Sequence, residues 1–105
     1  MKARDRQVVK LFKQRIQTLT TVKRVIIFGS RARGKASPES DLDIFVEIPQ
    51  VTPELRQEIY NTAWEVGYEY GIVISTFLVS TAALVNSPLA ANPILQAIDR
   101  EGVVV

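Results

Sequence analysis

The chain has 105 residues, 47% of them apolar and 23% charged, with a formal net charge of +2 and neither cysteine nor histidine. That length suits one domain, residues 1–105, around a single core, and no apolar run approaches the roughly eighteen residues of a membrane span. Without Cys or His there is no disulfide, no Ser-His or Cys-His catalytic pair and no common zinc site, so any metal must rest on oxygen, which favours magnesium, manganese or calcium.

The basic N-terminal segment is followed by no apolar signal core, and the cytoplasm is the expected address. Charge is unevenly spread. Residues 1–38 hold eleven of the thirteen Lys/Arg and a single acid, Asp5, whereas residues 39–105 hold two basic and ten acidic residues. A basic first third suits nucleic acid, an anionic ligand or an acidic partner surface. It equally suits a basic helix packed near an acidic one in the same fold.

In chain order, Val8, Val9, Leu11, Phe12, Ile16 and Leu19 recur at three- and four-residue spacing, predicting an amphipathic helix from Arg4 to Leu19 with Lys and Arg outside. "VKRVIIFG" is β-branched, ends at glycine and reads as a buried strand. Residues 30–40, rich in Ser, Arg, Gly and Pro, read as a loop. "DLDIFVEI" alternates and then turns wholly apolar, as a central strand does. Thr52 and Pro53 fit an N-cap and first helical position, Leu55, Ile59, Ala63, Val66 and Tyr70 face inward, and Gly71 fits the stop. "IVISTFLVS" is a further strand, followed by helical turns over Thr81–Asn86. A second capped helix runs from Asn92 and Pro93 to a stop at Gly102, and "VVV" suits a short edge strand. The order predicts an α/β (α+β) fold, a small mixed β-sheet flanked by helices.

Within this frame Gly29 and Ser30 end a strand at a turn able to present backbone N–H groups to an anion. Asp41 and Asp43, read as i and i+2 on one strand face, lie about 6.6 Å apart along the backbone. Carboxylates so placed repel each other unless a cation lies between them. The alternative is that they pair with Arg31, Arg33 and Lys35 as surface ion pairs worth about 0–1 kcal/mol.

Together, Gly29-Ser30, ten residues, Asp41-x-Asp43, within "FGSRARGKASPESDLDIFV", resembles the signature of the polymerase-β-like nucleotidyltransferase superfamily. It is most similar to the small stand-alone minimal nucleotidyltransferases encoded beside HEPN proteins as toxin–antitoxin pairs. The resemblance implies that Gly29 and Ser30 hold a triphosphate, with Arg31, Arg33 and Lys35 available to assist. It implies that Asp41 and Asp43 are catalytic and bind Mg2+, or Mn2+ in its place. ATP would be the substrate, its AMP passing to a hydroxyl of a HEPN-type partner. The resemblance also leads one to expect a third carboxylate on a later strand; aligning Gly71 with the glycine before that strand puts Ser75 in the acidic slot. Glu65, Glu69 and Glu47 are weighed as substitutes, as is a group brought by the acceptor.

Two other readings stand beside this one: a binding module that neutralises its partner by contact alone, and a nucleic-acid-binding domain, which is not the expected one. The stripe of Tyr60, Trp64 and Tyr68 beside the inward face of its helix points to a partner or to a second copy.

Overall fold

A computed structural model describes residues 2–34, 37, 39–86 and 91–105. The helical and β-branched patterns resolve into α1 (Ala3–Ile16), β1 (Arg24–Phe28), α2 (Gly29–Ala32), β2 (Leu42–Ile48), α3 (Pro53–Tyr70), β3 (Ile74–Ser80), α4 (Thr81–Asn86), α5 (Pro93–Glu101) and β4 (Val103–Val104). The four strands form one mixed sheet in the order β3-β2-β1-β4. β1 runs antiparallel to β2 and β4, and β2 runs parallel to β3. Parallel neighbours need a long crossover, and α3 supplies it.

The sheet is covered unequally. On one face Val25, Ile27, Leu42, Ile44, Val46 and Ile48 pack with Val8, Phe12 and Ile16 of α1 and with Ile59, Ala63 and Val66 of α3. On the other, Ile26, Phe45 and Val79 pack with Leu95 and Ile98 of α5. β2 is thus buried from both sides along Ile44–Ile48, which is why its second half is apolar apart from Glu47. Asp43 belongs to the α5 face, one pleat before Phe45.

The caps explain the helix limits. The Thr52 hydroxyl accepts from Leu55 N–H at 3.1 Å, and Gly71 closes α3 in the left-handed region at φ 65°. The Asn92 side chain accepts from Ile94 N–H at 2.9 Å. Gly102 stops α5 for a different reason from the one expected. Its backbone is extended (φ −69°, ψ 152°), and a Cβ there would strike the Ile26 side chain and the Ile98 carbonyl. Helix α1 ends at Ile16 rather than Leu19, because the Thr18 hydroxyl donates to the Arg15 carbonyl and the following turn winds down. Residues 30–32, at the start of the segment expected to be loop, belong to the short helix α2.

Glu47 is a buried acid with assigned work. Arg24 Nε donates to it at 2.7 Å and the Thr81 hydroxyl at 2.8 Å. Burial by itself pushes the carboxyl pKa up, but the Thr81 and Arg24 hydrogen bonds and the charges of Arg24 and Lys23 outweigh it and hold the pKa below its ordinary value. That stability is present above the unfolded pKa and is lost as pH falls through the lowered folded one. Arg24 also lies over the Phe45 ring, 5.2 Å from its centroid. The network joins α4 to the sheet.

Candidate active site

The site forms where β1 ends and β2 begins. Phe28 pairs with Asp43 across the antiparallel ladder, so Gly29, the next residue, turns over the Asp43 carboxylate. Gly29 has φ 77°, and a Cβ built on it would overlap Asp43 Oδ2. Glycine is required twice here, for the left-handed backbone and for the close approach. In Gly29→Ala we expect a fold weaker by about 1–2 kcal/mol from the left-handed alanine. Displacement of Asp43 should cost transfer about a hundredfold. Thermal melts and initial rates check the two separately; a variant with wild-type rate removes Gly29 from the site.

Asp43 is half-buried and Asp41 exposed. Asp41 stands one residue before β2, not on it, so the two acids are not consecutive members of one strand face as the sequence suggested. Their charges nevertheless interact. The Asp43 pKa is raised, first by burial and then by the negative charge of Asp41, with the Arg33 guanidinium opposing both. Two oxygen-donor carboxylates, the charge of one opposing ionisation of the other, fit a hard divalent cation such as Mg2+ or Mn2+, which offsets that repulsion and keeps several of its other positions for water or phosphate.

The two arginines expected at the phosphates part company. Arg33 is exposed, its charge reaches Asp43, and its Nη1 lies 3.4 Å from Glu101 Oε2 at the end of α5. Arg31 is turned inward instead. Its side chain is 7% exposed and pairs with Asp5 of α1 at 2.9 Å, while Nε and Nη2 donate to the Ser40 carbonyl at 2.9 and 2.7 Å. The guanidinium expected at the phosphates thus meets Asp5 and the Ser40 carbonyl. Lys35 lies outside the described residues, and Ser30 is half-buried at the start of α2.

Ser75 is the parallel-strand partner of Asp43, the register position at which the third carboxylate was sought, and it is exposed. Among the described residues, none of the three acids weighed as substitutes stands there. Glu65 and Glu69 are on α3, which packs on the opposite face of the sheet, and Glu69 pairs with Arg15 at 3.0 Å. Glu47 shares the Asp43 face but is held by Arg24 and Thr81. Among the described residues, no group of three acids is placed to hold a metal. Sequence reasoning missed the parts played by Asp5 and Glu101. For Asp5 a signal existed: it is the lone acid among eleven basic residues.

On the α3 side, Tyr60, Trp64 and Tyr68 remain 38%, 69% and 77% exposed, with Trp64 and Tyr68 stacked at 5.5 Å. With Val73, Ile74 and Thr76 they line an apolar groove of about 580 Å3. This groove and Asp43 lie on opposite faces of the sheet.

Comparison with known proteins bears on the same residues. The model of the nucleotidyltransferase domain family matches residues 6–93. A Methanocaldococcus jannaschii protein described as a putative protein adenylyltransferase is 36% identical over 75 residues, covering 69% of this chain and 76% of its own. Among solved structures, a toxin–antitoxin crystallised with AMP-PNP superposes with a TM-score of 0.61 at 20% identity, over 95% of this chain and 70% of that one. A mutant of the toxin–antitoxin MntA-HpeT gives 0.56 at 18% identity, over 95% and 70%. At these identities the structural matches speak for the fold.

Proposed function

Because the chain belongs to the nucleotidyltransferase domain family, we propose that it moves AMP from ATP to a hydroxyl of a partner protein. The observation that carries this is the seating of the Asp43 carboxylate against Gly29, with Asp41 and Arg33 close enough to bias its charge. In this reading the Gly29-Ser30 turn takes the phosphates beside the carboxylate pair. Support for AMP and for a protein acceptor comes from the adenylyltransferase relative and from the neighbour crystallised with AMP-PNP. In this reading the chain is the antitoxin of a HEPN-type toxin, acting in the cytoplasm, and the exposed aromatic stripe on α3 is available for the partner. No helix among the described residues is long and apolar enough to cross a membrane.

Gly29 and Ser30 would receive the triphosphate, and Arg33 would offset its charge from the rim. Asp41 and Asp43 would hold Mg2+, which when bound supplies charge neutralisation for the phosphate oxygens. The acceptor oxygen bonds to the α-phosphorus while the α–β bridging bond breaks, and pyrophosphate leaves with the electron pair. The hydroxyl proton has no carboxylate waiting for it at Ser75, so in this reading the acceptor brings its own base or loses the proton to water. The protein's part is then mostly positioning and charge.

Ser75 also favours a second reading, in which turnover is slow and contact does the neutralising. Incubation with α-labelled ATP, Mg2+ and a HEPN-type protein encoded beside the chain separates them. Wild type should label the partner, and Asp41→Asn should bind it without labelling. Neutralisation of the toxin with no label from any form would leave contact alone.

A further inference from the structure

We propose that Asp5 and Arg31 form a buried clasp that positions Asp41, and that Arg31 works through the backbone of residue 40 rather than on the nucleotide. The inference rests on the reading of Asp41 as a cation ligand. Asp41 needs such help because it stands outside the ladder that fixes Asp43. Asp43 is held on both sides, by Phe28 and by Ser75. For Asp41 the nearest anchors are its neighbours in sequence: Leu42, whose N–H donates to the Val73 carbonyl at 2.8 Å, and Ser40, whose carbonyl receives two N–H groups of the Arg31 fork.

The fork is itself fixed. Arg31 Nη1 donates to Asp5 Oδ1 at 2.9 Å, with the two side chains 7% and 5% exposed. Asp5 lies in the first turn of α1, whose Val8, Val9, Phe12 and Ile16 are core residues. Arg31 follows the Gly29-Ser30 turn directly. One guanidinium therefore registers three parts against each other: the packed helix, the phosphate-side turn and the residue before Asp41. A buried ion pair adds little net stability compared with apolar residues of the same volume, so its use here lies in directional hold. The planar fork bonds Asp5 through Nη1 while Nε and Nη2 hold the Ser40 carbonyl, a geometry that a lysine ammonium does not reproduce. Arg31 is thus a positioning residue.

The test compares wild type, Asp5→Asn, Arg31→Lys, their double variant and Asp41→Asn, with Mn2+ binding followed by electron paramagnetic resonance and labelling kinetics followed beside it. Loss of an outer partner of a metal ligand lowers metal affinity by about tenfold to a hundredfold. We expect Mn2+ affinity and kcat to fall by about that much in both single variants, with KM for ATP within about threefold of wild type. The double variant should be no worse than the weaker single one, since each change opens the same clasp. Arg31→Lys keeps a positive charge opposite Asp5 and carries the test alone where Asp5→Asn does not fold by circular dichroism. An Arg31→Lys variant that raises KM for ATP while leaving Mn2+ affinity intact makes Arg31 a nucleotide contact and overturns the clasp. Unchanged Mn2+ affinity in Asp41→Asn overturns the reading beneath it as well; loss there, with none in Asp5→Asn and Arg31→Lys, overturns the clasp only.

Discussion

Asp43→Asn should slow transfer by about a hundredfold or more while leaving the fold as stable as wild type, or more so, in metal-free buffer. Removing one preorganised charge from a site of this kind costs about a hundredfold to a thousandfold in rate. The stability half follows from the sign of the pKa shift. The Asp43 carboxyl is raised above its ordinary value by burial and by Asp41, with Arg33 only partly compensating. The folded state therefore binds the proton more tightly than the unfolded chain. Stability is then greatest below the unfolded pKa and is lost as pH rises through the folded one. At neutral pH the ionised Asp43 is a liability of the apo protein, and asparagine removes it. Melts in EDTA from pH 3 to 7 should show wild type losing ground to the variant as pH rises. Mn2+ should restore wild type by mass action and leave the variant unmoved. A variant that melts well below wild type in EDTA would make Asp43 a structural residue.

Much of this arrangement could be read from residues close together in the chain. Thr52, Pro53 and Gly71 bracket α3 because caps act within four residues. Gly29 and Asp43 were legible as a pair through spacing, and the glycine before β3 led to Ser75, which the register then placed beside Asp43. What escaped depends on partners far apart in sequence. Asp5 and Arg31 are 26 residues apart, and no periodicity says which way a side chain on a four-residue helix will turn. Glu47 looked like a spare acid on the Asp43 face until Arg24 and Thr81, from other elements, proved to hold it. Asp41 shows the same limit at short range: alternation suggested a strand position, but β2 begins one residue later. Local chemistry wrote the elements and the motif; tertiary ion pairs decided which charges remain for a ligand.

Ser75→Asp is the variant expected to gain. Neighbouring parallel strands lie about 4.8 Å apart, and register partners point to one face, so an aspartate at 75 would stand beside Asp43 as a third carboxylate. Ser75 is exposed, so the new charge need not be buried. In EDTA the added repulsion should lower the melting temperature, since Asp43 already suffers from one like charge. With Mn2+ the order should reverse, because three carboxylates bind the cation more tightly than two. If deprotonation of the acceptor limits the wild type, a carboxylate in reach of that hydroxyl is worth about a hundredfold or more, and labelling should accelerate accordingly. Tighter Mn2+ binding without faster labelling would place the base on the acceptor, and serine at 75 would then be compatible with full activity. No change in Mn2+ affinity would mean that the Asp43–Ser75 edge does not face the cation. The two-carboxylate site would then have to be rebuilt around Asp41 and the phosphates alone.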